Sequence, residues 1–196
     1  MNNTVRLIMV AVGGQGNLLA ARILGEAALA QNISVHMSEI HGMAQRGGVV
    51  ESALVFGDAG SSIISDGEAD VLVGFEPAET LRALKRAHPE TIVVTNTSPL
   101  PPFTAAIGKG VYPEIETMLA LIKGKCARLI AFDALELARK AGNALALNMV
   151  LLGAIIRSGA LPISPDSVRE AIRRTTKKAF LDTNVAAFEM GFDAAG

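Results

Sequence analysis

The stretch Val5-Arg6-Leu7-Ile8-Met9-Val10-Ala11-Val12-Gly13-Gly14-Gln15-Gly16-Asn17 decides the fold. Val5–Val12 is apolar apart from Arg6, the pattern of a strand buried on both faces, as a parallel sheet requires. The glycines that follow allow a sharp strand-to-helix turn and leave backbone N–H groups at a helix N-terminus, a setting that favours an anion. From Asn17 to Gln31, Leu18, Leu19, Ile23, Ala27 and Ala30 repeat at helical spacing, and Asn32 ends the run. Strand, glycine turn and amphipathic helix in that order predict an α/β fold.

Outward from this unit the same rhythm repeats. Ile33–Met37 reads as a short second strand and Val49–Phe56 as a half-exposed one. A Gly57-Asp58-Ala59-Gly60 turn then suggests Ser61–Ser65 as a hairpin partner. Asp70–Phe75, Thr91–Thr95 and Ala127–Phe132 read as strands, with helices over Pro77–Ala87 and Glu114–Lys123. Beyond Asp133 only helices are expected: Asp133–Ala141, Ala144–Arg157, Pro165–Thr175 and Lys177–Met190, the third capped by Ser164 with Asp166 in its first turn. The expected architecture is a Rossmann-like, doubly wound, mostly parallel sheet with an inserted hairpin and a helical C-terminal third. It forms one domain over 1–196.

The composition narrows the function. A net charge of −1 with interspersed acids and bases argues against nucleic-acid or anionic-membrane partners. Half of the residues are apolar, only 19% are charged, and the mean hydropathy is +0.37. Either part of the surface is buried against another subunit or the core is rich in Ala, Val and Leu, and the two readings are compatible. Poor solubility without a partner follows from the first. The single cysteine, Cys126, excludes an intrachain disulfide and any iron–sulfur cluster held by cysteines of this chain alone. It opens a strand and reads as an inert thiol. The longest apolar segment, Ala144–Ile156, is too short to span a bilayer and Val5–Val12 is no signal peptide, so the expected location is the cytoplasm.

Two loops carry the candidate chemistry. The first is the Gly13–Gly16 turn. As a dinucleotide fingerprint it is imperfect, because Leu19 stands where the third glycine belongs. The second is Ser38-Glu39-Ile40-His41-Gly42-Met43-Ala44-Gln45-Arg46-Gly47-Gly48, directly after the second strand. Gly47 and Gly48 allow close backbone approach while Arg46 reaches for a carboxylate or phosphate, and His41 can move a proton near neutral pH. Glu39 could hold a ribose, or pair with Arg46 in a merely satisfied loop. Two loops at the ends of successive strands would meet at one edge of an open sheet, where such folds bind ligands. Ser65-Asp66-Gly67 and Asn96 read as a turn and a strand-end amide, and Asn148 as a buried amide that either bonds a backbone group or faces a partner or ligand, with a packing role favoured. No triad, metal cluster or phosphate-binding Lys loop is visible, so the residues suit binding and not redox chemistry.

Val12–Asn17, Ala20-Ala21-Arg22-Ile23-Leu24, the His41–Gly48 run and Asn148…Leu152-Gly153-Ala154 resemble, in order and from Val5 to about Gly159, the gamma-type domain of 2-oxoacid:ferredoxin oxidoreductases. The His-Gly-Met-Ala-Gln-Arg-Gly-Gly run is most similar to the small (beta) subunit of the indolepyruvate branch. The resemblance implies that thiamine diphosphate, magnesium and iron–sulfur clusters sit on a large partner subunit and none on this chain. It further implies a cytoplasmic hetero-oligomer that decarboxylates a 2-oxoacid, forms an acyl-CoA and passes electrons to ferredoxin. The chain itself would be inactive alone. It would help complete the active-site and CoA region through Gly13, Gly14, Gln15, Gly16, Glu39, His41, Gln45, Arg46, Gly47 and Gly48. Two rivals remain at this point: a free-standing NAD-binding oxidoreductase, and a purely structural assembly subunit.

Overall fold

A computed structural model describes residues 4–42, 48–101 and 111–196. Its elements run β1 (Val5–Val12), α1 (Asn17–Ala30), β2 (Val35–His41), β3 (Val49–Phe56), β4 (Ala69–Gly74), α2 (Pro77–Ala83) and β5 (Ala87–Asn96). There follow α3 (Ile115–Lys123), β6 (Arg128–Phe132), α4 (Ala134–Lys140), α5 (Leu147–Arg157), α6 (Pro165–Thr175) and α7 (Leu181–Ala194). The six strands form one sheet in the order β2-β3-β1-β4-β5-β6. Only β3 runs against the others, antiparallel to both β1 and β2. The α/β class, the mostly parallel sheet and the helical C-terminal third are as expected.

Three local expectations change. Ser61–Ser65 is not a strand: β3 already has a strand on each side, so no free edge remains for a further partner. The antiparallel insertion is instead the β2–β3 pair, registered from Val35 opposite Phe56 to His41 opposite Val50. Lying between two strands, β3 is largely buried and not half-exposed. Strand β2 is longer than expected and absorbs Ser38–His41, because an edge strand facing solvent tolerates the polar alternation that resembles a loop. The 61–65 segment is held by side chains, with Arg86 Nη1 donating to the Ile64 carbonyl at 2.7 Å.

Two helical layers sandwich the sheet. Leu7, Met9 and Ala11 of β1 pack with α1, α5, α6 and α7, while Ile8 and Val10 pack on the other face with Ala83 of α2 and Ile122 of α3. Helix α1 presents Ala20, Ala21, Ile23, Leu24, Ala27 and Ala28 to this core. Leu18 and Ala30, expected on that face, are exposed, because the small alanines let the helix lie close to the sheet. Helices α5 and α7 also meet at near-backbone contact: a Cβ on Gly153 would fall 2.0 Å from the Phe188 carbonyl oxygen. With α1 on one face and α2 on the other, the winding reverses between β1 and β4. Ligands of open α/β sheets bind at such a reversal, outside the strand C-termini.

Candidate functional site

The two glycine-bearing loops do meet. Gly13 N–H donates to the Gly48 carbonyl at 2.8 Å, and Gly42 N–H to the Val49 carbonyl at 2.8 Å, which fastens the foot of the β2–β3 connection to the β1 turn. Gly14 and Gly16 adopt φ of +101° and +82°, a region that side-chain-bearing residues rarely enter. Gly16 precedes the first turn of α1 with no side-chain cap. Its carbonyl accepts from Asn148 Nδ2 at 3.2 Å, so of the roles open to this buried amide on α5 the backbone bond is the one formed. A Cβ on Gly16 would lie 2.7 Å from that Nδ2.

Beside this turn lies a cleft of about 200 Å³, walled by Pro99, Leu100, Leu135, Leu145 and Leu147 and floored by Gly14, Gln15, Asn96 and Ser98. Its floor is closed by hydrogen bonds. Gln15 accepts from Val12 N–H at 2.8 Å and donates to the Phe75 carbonyl at 3.2 Å, so its amide acts as a strut between β1 and β4. Asn96, 1% exposed at the end of β5, donates to the Phe75 and Ser98 carbonyls and accepts from Ser98 N–H and Ala134 N–H. Every hydrogen-bonding position of its amide is filled. Ser98 in turn donates to Asp133 Oδ1 at 2.6 Å. Rigid walls of leucine over a satisfied polar floor suit an apolar group and offer the cleft no free acid or base.

The hairpin side differs. Glu39 and His41 stand two apart on β2, on the strand and not in a loop, with His41 Nε2 3.2 Å from Glu39 Oε2. His41 is exposed, while Glu39 Oε1 is buried and has no hydrogen-bond partner among the described residues. Met43, Ala44, Gln45, Arg46 and Gly47 lie outside the described residues. The expected Arg46 contact and the Glu39–Arg46 pair therefore have no geometry here.

The sequence did not single out Glu76, Glu79 or Tyr112. Glu76 is 1% exposed, caps α2 by accepting from Glu79 N–H at 2.9 Å, and also accepts from Leu100 N–H at 3.2 Å and from the Tyr112 hydroxyl. Burial pushes the Tyr112 phenol well above its ordinary value, and the bond to the Glu76 carboxylate adds to this. Burial also raises the Glu79 carboxyl, against the pull of Arg82. The acid-before-proline step Glu76-Pro77, with Glu79 following, was the available signal for the cap. Cys126 is half-buried, and desolvation raises its thiol, in keeping with an inert role. Among the described residues no group of three His, Cys, Asp or Glu side chains is placed to hold a metal, and no helix is long and apolar enough to cross a membrane.

Residues 6–194 match the family model described as pyruvate ferredoxin/flavodoxin oxidoreductase. The chain belongs to that family. It is 42% identical over 184 residues to the indolepyruvate oxidoreductase subunit IorB of Methanothermobacter thermautotrophicus, covering 94% of each chain. To the IorB of Pyrococcus horikoshii it is 38% identical over 191 residues, covering 96% of this chain and 95% of that one. Among solved structures it resembles in fold the keto/oxoacid ferredoxin oxidoreductase gamma subunit of Geobacter sulfurreducens (22% identity, TM-score 0.71, 97% and 98% covered). It is also similar to part of the 2-oxoglutarate:ferredoxin oxidoreductase of Magnetococcus marinus (17% identity, TM-score 0.72), covering 98% of this chain and 31% of that one.

Membership of this oxidoreductase family, together with the topology, removes the free-standing NAD reading. In a dinucleotide fold the ribose-binding acid ends the strand beside β1. Here β3 intervenes, which sets β2 and Glu39 about 9.5 Å from β1, two strand spacings away. Leu19 packs partly buried against the core, where the fingerprint would need a glycine.

Proposed function

We propose that this chain is the small subunit of an indolepyruvate-type 2-oxoacid:ferredoxin oxidoreductase. It docks on a large subunit that carries thiamine diphosphate, magnesium and iron–sulfur clusters and there helps complete the active-site and CoA region. The similarity to IorB subunits over 94% of both chains carries the reading. The geometry supports it through the distribution of exposed apolar groups. Six of the eleven exposed large apolar side chains among the described residues, Leu18, Ile40, Val49, Leu100, Val111 and Leu145, belong to segments at the C-terminal edge of the parallel strands, where the two glycine loops are fastened together. Leu145 is 75% and Ile40 61% exposed, and such residues gathered at one edge mark an interface.

In this reading the chain supplies no redox group. Its satisfied cleft floor gives a rigid wall, while His41, Gln45 and Arg46 supply polar contacts to substrate, CoA or partner, with Arg46 the anion contact. The test is co-expression with a large subunit from the same genome, followed by an assay of indolepyruvate- and CoA-dependent reduction of ferredoxin or a viologen dye. Activity only with both chains supports the reading, and replacing indolepyruvate by other 2-oxoacids ranks the substrates. Failure of the two chains to co-purify and to couple would overturn it.

A further inference from the structure

We infer that Glu76 is a positioning residue that holds Leu100 and Tyr112 on one carboxylate oxygen and so fixes the Ser98–Leu100 wall of the cleft. A carboxylate 1% exposed is costly to bury unless it is paired or richly hydrogen-bonded. Among the described residues Glu76 makes no ion pair; its partners are neutral donors, Glu79 N–H on Oε2, and Leu100 N–H and the Tyr112 hydroxyl on Oε1. A second acid in the same turn, Glu79, is 7% exposed.

Capping does not explain this choice of residue. Elsewhere in the chain Ser164 caps α6 and Asp133 caps α4, both with shorter side chains. What the extra methylene of Glu76 adds is reach into the β5–α3 connection. Leu100 N–H and the Tyr112 hydroxyl meet on the same oxygen. Leu100 forms the cleft wall with Ser98 and Pro99, and Ser98 is already tied to Asn96 and Asp133. Asn96 therefore holds one end of that wall and Glu76 the other. Loss of the Glu76 bonds would release Leu100 while the floor stayed in place. A wall displaced by even an ångström changes how a bound group is held.

The sequence provides a probe. Tyr112 is the only tyrosine and the chain has no tryptophan, so its absorbance and emission report this one hydroxyl. In the intact chain Tyr112 should remain protonated at about pH 11, beyond the ordinary phenol value near 10. Glu76→Gln removes the charge and should shift the ionisation to lower pH, although burial still holds it up, with circular dichroism checking that the fold persists. The kinetic arm rests on the small-subunit reading. In the assembled holoenzyme Glu76→Gln, Glu76→Asp and Tyr112→Phe should each raise KM for the 2-oxoacid or CoA roughly fivefold, with kcat within about twofold, as loss of one charge-assisted bond implies. A purely structural Glu76 would lower the melting temperature and leave both KM values alone. Tyr112 ionising near pH 10 in the intact chain, or unchanged KM values in Tyr112→Phe, overturns the proposal. Should Glu76→Gln not fold, Tyr112→Phe decides. Failure of the wild-type chain to couple with a large subunit counts against the small-subunit reading, and the Tyr112 titration still judges the clamp.

Discussion

The two halves of the edge at the C-terminal ends of the parallel strands treat polar groups differently. On the β1–β4–β5 side every polar group of the Asn96 amide is used, Gln15 is braced at both ends, and Glu76 collects three donors, while Glu79 Oε2 is buried without a partner among the described residues. On the β2–β3 side Glu39 leaves one buried oxygen without a partner among the described residues, and His41 stands in solvent. Satisfied groups make a frame whose removal destabilises the fold, while the exposed His41 is open to a further contact. In the proposed reading this edge divides into a scaffold and a contact surface.

Three substitutions bear on that division. Asn96→Leu should have the largest effect. It keeps the volume but strands buried donors and carbonyls, and a loss of about 3 kcal/mol is expected in urea unfolding. A loss below about 1 kcal/mol would show that the frame does not depend on this amide. Next, Ile40→Asp places a charge on the contact surface. Folding stability should hold within about 0.5 kcal/mol, while subunit association weakens by about 2 kcal/mol, the scale of burying one isoleucine. Titration calorimetry or co-purification yield against the large subunit measures this, and unweakened association would remove Ile40 from the interface.

The smallest effect concerns pH. Burial raises the folded Glu79 carboxyl above its unfolded value of 4.5, so its protonated form is the better tolerated one. The stabilisation from holding that proton is complete below the unfolded value and is lost as pH rises through the folded one. Glu79→Gln should flatten the profile just above pH 4.5, with a gain near neutral pH of at most about 1 kcal/mol given its solvent-facing partner Arg82. A steeper profile in the variant would contradict the assignment.

The frame was more legible in the sequence than the contact surface. Val5–Val12 followed by two left-handed glycines fixes strand, turn and helix through local chemistry alone. Pairing is not local. Nothing within Val49–Phe56 states that β1 and β2 flank it, so Ser61–Ser65 looked like an available neighbour. Polar alternation over Ser38–His41 has two physical origins, a loop or an edge strand, and only the ladder with β3 separates them. Glu76 and Tyr112 lie 36 residues apart, and no short motif links them. The glycine loops were placed correctly at one edge because the rule that puts them there is topological and needs no side-chain detail.

The lone reversed strand has a bearing on how such subunits diversify. Because β3 runs against β1, the connection between β2 and β3 opens at the ligand edge, with Gly42 fixed to Val49 at one foot and Gly48 fixed to Gly13 at the other. Both moorings are main-chain bonds, indifferent to which side chains lie between them. The few residues inside can be rewritten by mutation while the register of the sheet is kept by main-chain groups that every residue but proline supplies. Loop chemistry and architecture are thus separable in heredity: one can drift while the other stands still.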